Sequence, residues 1–236
     1  LKQKNVFGMV SILHKKSMRL SKRVIELIAI AMFPVLLVLA FAMHFKSAKA
    51  FLNFRWRYQS PPPVAFYKLF SQPNNQFVAA HVIAWVSVPL LFALIWLMYR
   101  KLYPKNNILS IMLLVSGAVG CFCLSGVFAI WLHLTCLKNV ADVSQENMIL
   151  VVAALTAPTG VLRIVSMCSL FAPLTVSGLS IGLLGYKLQP VWSSISLLAG
   201  SSMMAVFMDQ DNWMLLGAFL ITIGIIPLIT KTKKGV

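Results

Sequence analysis

The strongest constraint on this chain is a pair of apolar runs between Gln76 and Cys136, parted by a short basic turn from Arg100 to Asn107. The stretch reads QFVAAHVIAWVSVPLLFALIWLMYRKLYPKNNILSIMLLVSGAVGCFCLSGVFAIWLHLTC. A helix crosses a bilayer core with about 20 apolar residues, each rising 1.5 Å. Each run is long enough, so the pair crosses, turns and crosses back. His81 and His133 then come to the same side. Trp96, Tyr99 and Tyr103 mark one interface, and Trp131 the other.

The rest of the chain has the same character. Of its 236 residues, 59% are hydrophobic and only 11% are charged. A soluble domain carries about 25% charged residues, so a chain this poor in charge cannot cover itself in water. One integral membrane domain over residues 1–236 follows, an all-α polytopic transmembrane helical bundle. The charges are lopsided, with 21 Lys and Arg against 5 Asp and Glu. They cluster just outside apolar runs, as topology and anionic lipid require. That placement argues against nucleic acid as a partner.

Residues 1–23 form a basic N-terminal segment with no acid, suited to holding that end at the cytoplasmic face. Val24 to His44 is longer than the apolar core of a secretory signal and reads as a retained span. Residues 45–75 form a loop that contains FLNFRWRYQSPPPVAFYKLF. Seven aromatics mix there with Arg55, Arg57 and Lys68 around Pro61-Pro62-Pro63. Trp56 and its arginines suit a segment lying on headgroups, or a ligand-binding lid over the helices.

Met148 to Tyr186 is about forty residues, or about 60 Å of helix, twice a bilayer core. It reads as two spans with a turn near Phe171-Ala172-Pro173. Spans from Val191 to Met208 and from Trp213 to Ile229 complete a count of seven. Six is the alternative if Met148 to Tyr186 crosses once, and the charge rule favours six. Small residues recur every four positions at Gly117, Cys121 and Ser125, at Ser116 and Gly120, and at Gly178 and Gly182. A third small face comprises Ser193, Ser196 and Gly200. Such stripes let helix backbones approach closely.

Three sets of residues could carry chemistry. His44, His81 and His133 reach one depth, and neutral imidazole binds metal ions and haem iron. No carboxylate is aimed at them by the sequence, which leaves ordinary interfacial hydrogen bonding as the plainer reading. Arg163 is the one charge in its forty-residue run and falls about 6 Å from mid-membrane in a two-span reading. A charge there costs at least about 2.5 kcal/mol, so it marks a ligand anchor, a structural pair or a contact to lipid phosphate. Cys121, Cys123, Cys136 and Cys168 include no CxxC and read as small residues in helix contacts. There is no HExxH, P-loop or GxSxG motif.

These features favour a non-enzymatic accessory or scaffolding subunit of a membrane complex. Its expected partners are anionic lipids, a small apolar ligand and other membrane proteins, with the bacterial inner membrane as location. Arg163, Arg55, Arg57 and Trp56 are its candidate ligand-binding residues. Two alternatives are a redox subunit with metal or haem on His44, His81 and His133, and a small-anion transporter with Arg163 in its site.

Overall fold

In the computed structural model the described residues are 28, 30–43, 75–137, 144–207 and 211–230. They form helices, with no strand among them. In chain order these are α1 (Ile30–Ala42), α2 (Asn75–Leu102), α3 (Asn107–Leu137) and α4 (Gln145–Thr156). Then come α5 (Val161–Ser169), α6 (Phe171–Gly185), α7 (Val191–Val206) and α8 (Asp211–Thr230). Four helical stretches are long and apolar enough to cross a membrane: Val78–Leu102, Asn107–Leu137, Val161–Gly185 and Asn212–Thr230. The chain is a helical membrane protein.

The α2–α3 hairpin matches the pattern of its sequence. Two asparagines punctuate the basic turn: Leu109 N–H donates to Asn106 Oδ1 at 3.0 Å and Ile108 N–H to Asn107 Oδ1 at 2.8 Å. They satisfy amides that the start of α3 would leave open. Trp96, Tyr99 and Tyr103 form a ladder leading to the turn, with ring centroids 5.3 and 5.4 Å apart. Farther along, Trp85 Nε1 donates to Ser125 Oγ at 2.6 Å and ties α2 to α3.

The segment from Met148 to Tyr186 departs from the two-span expectation. Its helix breaks at Ala157–Gly160, and Phe171-Ala172-Pro173 continues a helix. Pro173 falls in the first turn of α6, where a missing N–H costs little. The chain carries on through Leu170, with Leu174 N–H donating to Leu170 O at 3.1 Å, and α5 and α6 make one 25-residue crossing helix. The true break needs Gly160. A Cβ there would lie 2.2 Å from Leu155 O and 2.6 Å from Ala154 O, so the turn closes onto the end of α4 too tightly for any side chain. At 12 residues, α4 reaches about 18 Å, well short of a bilayer core of about 30 Å. It packs Met148 and Val152 against Leu134 near the end of α3.

Alongside α3, α5 and α6 run antiparallel in a register defined by glycines. A Cβ on Gly126 would sit 3.3 Å from Val165, one on Gly120 2.1 Å from Ala172 N, and one on Gly117 2.9 Å from Thr175. The working ridge is therefore Gly117, Gly120 and Gly126, at spacings of three and six. Of the four-residue stripe expected from the sequence, Cys121 belongs to the core and Ser125 meets Trp85. Gly200 on α7 and Gly217 on α8 face one another, a Cβ on either lying 2.7–3.0 Å from the other's carbonyl oxygen. Lipid tails are as apolar as Leu, so close packing and interhelical hydrogen bonds hold such a bundle together. The larger of two buried clusters runs through it, from Phe33 of α1 and Met98 of α2 to Leu179 of α6, Leu197 of α7 and Ile225 of α8.

Candidate functional site

The basic turn between α2 and α3 defines one end of the bundle, and the register places each candidate relative to it. Arg163 is the third residue of α5. Two residues before Val165, it comes level with Phe128 of α3. That is about 21 residues from Asn107, or about 31 Å at 1.5 Å each. A bilayer core is about 30 Å thick. Arg163 therefore lies in the half of the bundle away from the basic turn. Moving the break from residue 171 to residues 157–160 shifts Arg163 from a helix middle to a helix start.

Arg163 is half-exposed, and among the described residues no carboxylate or carbonyl pairs with it. Gly160 caps α5 with backbone only and offers no side-chain oxygen to the first amides. The start of α5 thus presents open N–H groups, the positive end of the helix dipole and a guanidinium within one turn. This combination favours an anionic oxygen group approaching from the headgroup layer.

The two described histidines share this end of the bundle. His81 packs edge-on against Phe128 and tilted against Trp131, with centroids 6.1 and 6.2 Å away. His133 is exposed and lies, with Ile130, Leu134, Val151 and Leu155, along an open apolar groove of about 420 Å³ between α3 and α4. Among the described residues no group of three or more His, Cys, Asp or Glu converges as metal ligands would. His44, Arg55, Trp56 and Arg57 lie outside the described residues.

Two polar features were not legible in the sequence. The first is a hydroxyl seam joining α6, α7 and α8. Ser177 and Ser201 share a hydrogen bond of 2.7 Å, and Ser193 Oγ donates to Gly224 O at 2.6 Å. Gln189 Nε2 donates to Ser193 Oγ and, at 3.2 Å, to Gly224 O. Pro227, which lacks an N–H, sits one turn beyond Gly224. The second is the pair Cys123 and Cys168, which the glycine-defined register sets opposite one another between α3 and α5. Only the register could bring them together, because 45 residues separate them in the chain. No family model matches the chain, and no curated protein or solved structure is similar to it.

Proposed function

We propose that this protein is a non-enzymatic multi-pass subunit of the bacterial inner membrane that holds an anionic lipid at its Arg163 end. The carrying observation is a guanidinium with no protein partner among the described residues, at the start of a crossing helix and toward the end of the bundle away from the basic turn. A buried anchor for a transported anion would need Arg163 deeper in the bundle, so its position favours a lipid phosphate over a translocated ion. The apolar groove at the same end suits an acyl chain.

Four helical stretches have crossing length, and counting the shorter apolar α1 and α7 with them gives six crossings in this reading: the α1 run, α2, α3, α5 with α6, α7, and α8. Lys and Arg of the N-terminal segment, the Arg100–Asn107 turn, Lys187 and Lys231, Lys233 and Lys234 then share the cytoplasmic side, while Asp209 and Asp211 face away. Arg163 meets the opposite leaflet. Protein partners are part of this proposal as well. Ile111, Met112, Val115 and Phe122 form an exposed apolar stripe along α3 that either lipid or another membrane protein would cover.

Native mass spectrometry of protein extracted in a mild detergent tests the lipid reading. Wild type is expected to retain a phosphatidylglycerol-class lipid, Arg163→Lys to retain less, and Arg163→Leu to lose it while staying folded. Equal retention by wild type and Arg163→Leu would remove Arg163 from the site.

A further inference from the structure

The Cys123–Cys168 juxtaposition is more than two small residues filling space. Gly120 and Gly126 lie three residues to either side of Cys123 on one ridge of α3. Each approaches α5 or α6 closely enough that a Cβ would meet Val165 or the backbone of Ala172. The helices are therefore drawn together on both sides of Cys123. The same antiparallel register sets Cys168 opposite Cys123, midway between the Gly126–Val165 and Gly120–Ala172 approaches. A disulfide needs Cα atoms about 4.4–6.8 Å apart, and helices packed through glycine are among the few that approach so closely. The remaining cysteines are differently placed: Cys121 is buried in the core and Cys136 is exposed near the end of α3.

From this juxtaposition we infer that Cys123 and Cys168 form a dithiol across the α3–α5 interface that is oxidised by exchange with a lipid-soluble disulfide. Cys123 lies about 24 Å along α3 from the basic turn, inside the apolar layer, so the oxidant must partition into lipid. One thiol gives up its proton and attacks the oxidant, forming a mixed disulfide and releasing one thiol. The second cysteine displaces the other half of the oxidant. The bond gained is Cys123–Cys168, the bond lost is the oxidant's own S–S, and two thiols leave with the two protons. Arg163 is five residues before Cys168 on α5, so the bond pins the segment that carries it to α3.

The test uses the full chain in lipid nanodiscs with 4,4′-dithiodipyridine, an aromatic disulfide that enters membranes. Peptide mapping is expected to show Cys123 joined to Cys168 with the loss of two hydrogens and no pyridyl adduct on either. Exposed Cys136 should keep its adduct. In Cys123→Ser the remaining Cys168 should hold a stable adduct, and Cys168→Ser should leave one on Cys123. Separate adducts on both cysteines of wild type would overturn the inference. So would two unmodified thiols after Cys136 has reacted to completion. If the serine variants fail to fold, the wild-type map alone decides between these outcomes.

Discussion

Replacing Gly120 with alanine adds one methyl group where two helix backbones meet, and the structure indicates what that methyl encounters. It would lie 2.1 Å from Ala172 N, 2.6 Å from Phe171 C and 2.8 Å from Ala172 Cα. All three are backbone atoms, so no side chain can rotate away. Restoring ordinary contact near 3.4 Å requires α3 and α6 to part by about 1 Å, and a gap of that size forfeits about half of each dispersion contact it opens. Overpacking of this kind costs about 1–3 kcal/mol. The higher helix propensity of alanine returns about 0.5–1 kcal/mol, leaving a net loss of about 1–2 kcal/mol. Two other glycines serve as controls. A Cβ at Gly178 meets only the mobile end of Leu113, at 2.8 Å, and one at Gly185 meets nothing within 4 Å. Reversible unfolding in mixed micelles should therefore rank stability as Gly120→Ala below Gly178→Ala below Gly185→Ala, the last matching or exceeding wild type. If Gly120→Ala is as stable as Gly185→Ala, the close approach of α3 and α6 is wrong, and the register built on it fails.

Ser193→Ala removes the donor to Gly224 O and the acceptor of Gln189, and should cost about 0.6–1.7 kcal/mol in the same assay. Ser194→Ala, which deletes a buried hydroxyl with no partner among the described residues, should be neutral or stabilising, and equal losses in the two variants would refute this account of the seam. Six crossings place both ends of the chain on one side, so cysteine tags at the N- and C-termini should react with an impermeant reagent from the same face of sealed vesicles. Labelling from opposite faces would restore an odd number of crossings.

Part of this protein was decided by the order of its residues alone. Apolar runs of crossing length, basic residues gathered at their ends and few acids leave helices in lipid as the only solution, because every backbone amide must then bond within its own segment. The α2–α3 hairpin was legible for the same reason: its signals are local, comprising two long runs, an Asn106–Asn107 cap and an aromatic ladder. Residues 148–186 were not legible, since Pro158 and Pro173 both announce a break and propensity cannot choose between them. Tertiary packing chose. Gly160 closes a turn that no other residue would allow, while Pro173 settles into a first turn where its missing N–H is harmless. That single choice moved Arg163 to a helix start and set Cys168 opposite Cys123. Side-chain meetings across helices depend on register, and register depends on which glycines let two backbones touch, a property that no one segment carries by itself.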